Sequence, residues 1–492
     1  MVAARRRRCG ARRPGPLNAA RVSMAGHRPS GWIAGAAALL AVLAGAGCSH
    51  NHRMREVDAA FAQADWTKAA DRMRQVEQEF ANDSVNALVF HLEAGEVLQS
   101  AGDTGGSLRS LDAAYSIARP YLDEKADVSI SAEAAALVTN QTVRPFRGRP
   151  IDRVMMNALQ AINYWSVGRV AEAGVELNRA WLWQQDAVER NAKRIKDLQA
   201  KVDERARASS YNVAAAQRDP VFNAQASAAY APVRAMQGYA DYALPYVTFL
   251  RGAWFWSTGQ PADLDQARQS FERVAGMLPE ADRAHAVADL EMAEAALDGK
   301  GMPDMAWIVL ESGLAPSLKE LRIDIPLFIA EVPYVGAAFP EPVFRQLGPA
   351  GFTVTAGEQS VRSSLLTDID SAWGRQFNDE LPAIITATLL SSATKAILTW
   401  QLQEHLGTWG AVAGAIYQVS VNSADLRTWT TLPKRVFSAR MPVPADRRLT
   451  IAVDGGETIG PIECPVGHTT IVHLRGTAAG RPCAVRTLGG IP

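Results

Sequence analysis

Residues 246–280 read YVTFLRGAWFWSTGQPADLDQARQSFERVAGMLPE, and their spacing decides how the first half of the chain folds. Gly252 and Phe255 stand three apart in one apolar run, Gly259 interrupts it, and Ala267 and Phe271 stand four apart in the next. Positions three and four apart share one face of an α-helix, so each run has a single face to bury. The glycine between them suits a turn, and Pro279 ends the second run because its ring cannot continue a helix. A pair of helices closing on each other is expected, with small residues at the contact and aromatics filling the gap.

Earlier stretches repeat the spacing. Gly95, Leu98, Gly102, Ser107, Leu111 and Ala114 keep it, as do Tyr164, Gly168, Ala173, Leu177 and Ala180. Trp66, Ala69 and Met73 give a shorter echo near the start. The pattern resembles tetratricopeptide (TPR) repeats with a lengthened turn. Four degenerate hairpins are expected; their uneven spacing keeps an irregular helical bundle as the alternative. Residues 183–208, WQQDAVERNAKRIKDLQAKVDERARA, form a long charged helix between the third and fourth hairpins. Val188, Ile195, Leu198 and Val202 sit there at heptad-like spacing, and the helix is expected to lie along the bundle.

Past residue 300 the composition changes. AWIVLESG, RIDIPLFI and FTVTAG are short β-rich runs, and RVFSARMPVP, LTIAVDGG and TTIVHLRG alternate like half-buried strands. Asp454-Gly455 marks a β-hairpin. Between these groups lies an apolar helical pair, about 381–404 and 408–419. Lys395, Gln401, Glu404 and His405 interrupt it, so a buried hairpin is expected there rather than a membrane span. The expected class is α+β: TPR-like hairpins over 55–300, then a smaller mixed domain over 301–492 with antiparallel strands and an inserted helical hairpin.

The 492 residues carry 51 basic and 51 acidic side chains, but the balance is uneven. Residues 1–47 hold eight Arg and no Asp, Glu or Lys; without them 43 basic side chains face 51 acidic ones, a net charge of −8. A body that acidic lacks the footprint of a nucleic-acid binder. The basic segment precedes the apolar run 32–47, the order of a secretion signal, and Met24 is a second candidate start. Small residues then lead into Cys48, which resembles the lipobox of bacterial lipoproteins, with Gly45 where Leu is usual. The resemblance implies cleavage before Cys48, acylation of its thiol and amine, and a lipidated tether over 48–54. Ser49, in place of Asp, implies export to the outer membrane. The alternative is cleavage nearby, leaving an unanchored periplasmic protein.

Cys464 and Cys483 remain in the body, and in an oxidising periplasm they could pair. No HExxH, GxSxG, P-loop or strand-linked GxGxxG occurs, and the eight His are scattered, so no cofactor or metal is expected. Two clusters stand out as a candidate interaction surface. RPFRGRPIDR gathers Arg144, Arg147, Arg149 and Arg153 about a turn, and SADLRTWTTLP places Asp425, Arg427 and Trp429 at alternate positions. Arg and Trp are common interface anchors. Each cluster has a structural alternative: a loop entering a helix, and an internal Asp–Arg pair beside a packed Trp. An enzyme site around Asp425, Arg427 and His473 is the catalytic alternative.

GRPIDRVMMNALQAINYWSVG, YVTFLRGAWFWSTG, RIDIPLF, VPYVGAAFP and SADLRTWTTLP, in this order, resemble a family of poorly characterised bacterial outer-membrane lipoproteins. The family has a TPR-like N-terminal half and a β-containing C-terminal domain. Some relatives are encoded near peptidoglycan-synthase activators. The resemblance implies a non-catalytic, lipid-anchored scaffold facing the periplasm, binding protein partners in envelope assembly, with control of peptidoglycan synthesis as one such task. An accessory role in an export or outer-membrane assembly machine is the other expectation.

Overall fold

Four pairs of helices account for most of the N-terminal half: α1 (His50–Ala62) with α2 (Trp66–Phe80), α3 (Ala87–Ser100) with α4 (Thr104–Ala118), α5 (Pro150–Ser166) with α6 (Val170–Asp186), and α10 (Pro245–Thr258) with α11 (Pro261–Met277). The computed structural model describes residues 50–121, 145–239, 242–328, 334–421, 423–467 and 469–488, with backbone alone at 121 and over 398–399 and 401–421. The chain divides into two units, Met1–Ala46 and Gly47–Pro492. The first, together with Cys48 and Arg144, lies outside the described residues.

Each pair closes for the reason its spacing suggests. A Cβ on Gly95 would stand 2.4 Å from Leu111 Cδ2, so only hydrogen lets α3 and α4 approach this closely. Ser107 Oγ then reaches the Gly95 carbonyl at 2.6 Å. Asp65 and Asp103 cap α2 and α4, each accepting from a backbone N–H three residues on. The charged segment continues α6 through a π turn (Ala187–Asn191) into α7 (Ala192–Ala208). It lies along the body, where Val202 and Leu198 pack on Ala387. Helices α8 (Val213–Gln217), α9 (Pro220–Arg234) and α12 (Ala284–Leu297) complete the helical part among the described residues.

Strands β1 (Met305–Ser312), β6 (Ser364–Asp368), β7 (Arg435–Pro442), β10 (Thr469–Gly476) and β11 (Ala484–Leu488) form a sheet of order β11-β10-β1-β7-β6. A second sheet holds β4 (Phe352–Ala356), β5 (Gln359–Arg362), β8 (Arg448–Val453) and β9 (Thr458–Glu463) in the order β5-β4-β8-β9. Strands β2 (Ser317–Pro326) and β3 (Tyr334–Val343) form a separate two-stranded ribbon. Among the described residues, the pairings are antiparallel except that of β1 with β10, which run parallel. The Asp454-Gly455 turn joins β8 to β9 as its sequence suggests, with Gly455 at φ 61°.

β1 is buried on both faces because it divides two cores. Ala306, Ile308 and Leu310 meet Phe352, Val354 and Ile451 of the four-stranded sheet. Trp307 and Val309 point the other way into a core shared with the helices, which runs from Met54 to Leu488. The boundary at 300 marks the change from helix to strand, while Gly47–Pro492 is one unit across it. The tether expected over 48–54 is corrected: from His50 on it is helix, with His50 and Met54 buried in α1.

Helix α13 spans Ile369–Val421, 53 residues. Straight, it would be about 80 Å long. Yet Trp373 Nε1, near its start, donates to Thr428 Oγ1 at 3.1 Å. The residues between Val421 and Thr428 can bridge no more than about 25 Å. The helical run therefore bends away from a straight course, and it continues as one helix through 405–407, where the sequence suggests the break of a helical pair.

Candidate functional site

α3 has no solvent face: all 14 of its residues are buried, among them Glu93 and Glu96. Three apart, these carboxylates share one side of the helix, and burial obliges each to find partners. Glu93 finds four donors. Its Oε1 accepts from Thr430 N at 2.7 Å and Thr430 Oγ1 at 2.8 Å, and its Oε2 from Thr431 N at 3.1 Å and Thr431 Oγ1 at 2.6 Å. His50 Nε2 lies 3.3 Å from Oε1. Burial alone would raise this carboxyl's pKa, but His50, Thr431 and Thr430 outweigh burial and hold it below the ordinary value.

The Thr430 hydroxyl also lies 3.0 Å from Asp58 Oδ1. One hydroxyl proton cannot serve two carboxylates, so a proton on Asp58 completes the chain. Burial, then the Glu93 charge, pushes Asp58 up to about 6, which provides that proton in mildly acidic conditions.

Glu96 meets the sheet. Parallel pairing puts Glu311 of β1 beside Arg475 of β10 and Val309 beside His473. Arg475 Nε donates to Glu96 Oε1 at 2.8 Å, and its Nη2 donates to the Thr431 carbonyl at 2.9 Å. The guanidinium also lies over the Phe61 ring at 5.4 Å. Glu311 Oε1 is 3.3 Å from His473 Nε2. Burial, then repulsion from Glu311, pushes Glu96 up to about 7, against the pull of Arg475. Glu311 itself stays below the ordinary value, because His473 and Arg475 outweigh its burial. A continuous polar seam thus runs from Asp58 through Thr430, Glu93, Thr431 and Arg475 to Glu96, Glu311 and His473. It joins α1, α3, β1, β10 and the loop before β7. Chemically it stores protons and fixes register.

Among the described residues, no group of three His, Cys, Asp or Glu is placed to hold a metal. A pocket between α11, α12 and the sheet, bordered by Phe249, Asp282, His285, Asp289 and Ser438, has room for little more than a water molecule. Beside it, burial pushes Asp289 up to about 7 despite Arg440 at 2.9 Å and a hydrogen bond from Trp307.

The residues singled out as an interaction surface turn inward, a correction with a plain physical reason. Arg153 donates to the Arg147 carbonyl at 3.2 and 3.1 Å and stacks over Trp183 at 5.2 Å. Arg149 lies over Trp373 at 4.9 Å and 3.4 Å from Glu380. Arg147 is half-buried in the same turn. The flat guanidiniums cover aromatic faces while satisfying carbonyls, so burial is compensated. Asp425 and Arg427 pair at 2.7 Å, Arg427 also reaches the Val85 carbonyl at 3.0 Å, and Trp429 is fully buried. His473 pairs with Glu311, so the two parts of the catalytic alternative have separate partners.

The loop that carries Asp425, Arg427 and Trp429 also supplies Thr430 and Thr431, the donors to Glu93. Glu93, Glu96, Glu311 and Arg475 escape sequence reading, though each is a charge inside an apolar run: VFHLEAGEVL, WIVLES and IVHLRG. Cys464 and Cys483 are free thiols, the alternative to the pairing that their positions in the sequence left open. Cys464 N is tied to the Arg447 carbonyl at the end of β9, and Cys483 N to Glu457 before β11. Burial raises both thiols, Cys483 to about 11. Compared with protein-family models, curated proteins and solved structures, the chain matches none.

Proposed function

We propose that this protein is a non-catalytic, lipid-anchored scaffold on the periplasmic side of the outer membrane. It binds partner proteins in cell-envelope assembly, with control of peptidoglycan synthesis as one such task. The observation that carries the reading is an apolar line on the outer side of the helical hairpins. Val175 and Leu182, 49% and 52% exposed, stand seven residues apart on one face of α6. Exposed branched side chains two turns apart suit a helical partner surface. The net negative body argues against nucleic acid, and Cys48 supplies the membrane attachment.

Photocrosslinking residues at positions 175 and 182 in intact cells test the partner. Capture of wall synthases or their activators is the expected result; capture of barrel-assembly or export components would replace it with the accessory role. Cys48→Ser tests the anchor and should release the protein from the outer-membrane fraction; unchanged fractionation would exclude lipidation.

A further inference from the structure

The start of α1 is held by the body on several sides. His50 is 5% exposed, its ring 5.4 Å from that of Phe90 and its Nε2 3.3 Å from Glu93. Asn51 Nδ2 donates to the Leu318 carbonyl of β2 at 2.5 Å, across 267 residues of sequence. Met54, Val57 and Phe61, one, two and three turns on, have no exposure at all. The helix that opens the described residues therefore begins two residues after Cys48.

That count limits how far the body can stand from a bilayer. An acylated Cys48 lies where hydrocarbon meets headgroups, and two residues of extended chain reach about 7 Å at most. The headgroup layer of one leaflet is itself roughly 5–8 Å deep. His50 reaches no farther than about the outer edge of that layer, yet it sits under protein atoms. Either those atoms rest among the headgroups, or α1 unwinds and gives up its core contacts. Losing three fully buried side chains would outweigh anything gained by slack in the chain.

We infer that the body docks directly on the membrane surface through the rim around the start of α1 and the base of the β2–β3 ribbon. The inference rests on the lipid-anchor reading. The partner is a lipid surface, and the rim shows how it is met. His52 and Arg55 are exposed on α1, and Lys319 stands beside Leu318. Their basic charge is offset locally, by Glu341 at 3.1 Å from Lys319, Glu79 at 3.1 Å from Arg53, and Glu56 on the same helix. A mixed rim gains little from anionic lipid, so the short covalent link sets the docking and charge attraction does not.

The test uses the mature acylated protein in phosphatidylethanolamine vesicles with and without phosphatidylglycerol. A fluorescent amino acid replaces Lys319, and the acceptor is carried on a lipid headgroup. A second form carries a Gly/Ser insert of about twelve residues between Ser49 and His50, which adds roughly 20 Å of reach. Energy transfer should be strong in the native form, fall at least two-fold with the insert, and ignore phosphatidylglycerol. Amides of α1 should exchange equally slowly on and off vesicles. Equal transfer in both forms, or loss of α1 protection on vesicles, would overturn docking. The intact mass of the N-terminal peptide separates the other failure: a peptide without acyl chains overturns the anchor itself, and the docking with it.

Discussion

Glu96 lies one helical turn from Glu93 and meets the opposite electrostatic outcome. Glu93 collects four donors; Glu96 keeps Oε2 without a partner and faces a second carboxylate, Glu311. The first is stabilised as an anion and the second is held partly protonated. The sign follows for stability. A carboxyl whose pKa rises on folding, as Glu96 does to about 7, stabilises the fold below the unfolded value, about 4.3, and that contribution is lost as pH rises towards 7. Asp58, raised to about 6, and Asp289, raised to about 7, act in the same direction. Glu93 and Glu311, held low, contribute above the unfolded value and lose that contribution only in stronger acid. Urea unfolding between pH 5 and 8 should therefore show stability declining with pH. In Glu96→Gln the decline near pH 6 should be shallower by up to about 1.4 kcal/mol per pH unit, one proton's worth. An unchanged slope would show that Glu96 does not hold the proton.

At the scale of elements, the hairpins were legible because their causes are local. Gly95, Gly102 and Ser107 lie within one turn-and-return of chain, and the contact they make is between neighbours in sequence. Gly95→Val would drive a branched side chain into Leu111 and should cost about 1–3 kcal/mol, read as a lower urea midpoint with α-helical circular dichroism retained. A variant as stable as the parent would mean that α3 and α4 can part without loss. The arginine clusters show the limit of the same reasoning. Composition marked Arg149 and Arg427 as unusual, but it could not say that Trp373 and the Val85 carbonyl wait for them on other elements. Without those partners an arginine-rich loop and a packed one look alike.

Over the whole molecule, the α+β order was readable and the seam was not, because its partners are remote. Glu93 meets Thr431 across 338 residues and Glu96 meets Arg475 across 379. No window of sequence contains both ends. The shared core predicts that residues 50–300 will not behave as an independent domain. Expressed alone, that fragment should be degraded rapidly in limited proteolysis and lack a cooperative thermal transition. A protease-resistant fragment with a sharp melt would show that the helical half stands by itself. The expectation follows from α3, whose two buried carboxylates would lose Thr430, Thr431 and Arg475 as partners.

The parallel pairing of β1 with β10 also sets an order of events in time. Leu310 lies between Leu474 and Phe437, both supplied by chain made long after β1 itself. A nascent chain must carry eight residues destined for burial, with one strand edge open until β7 is made and the other until β10 is made. Loop closure this long makes folding slow and leaves the unfinished chain open to aggregation or proteolysis. The central strand thus works as a completeness check. Chains cut short before residue 469 lack β10 and leave one apolar edge of β1 open.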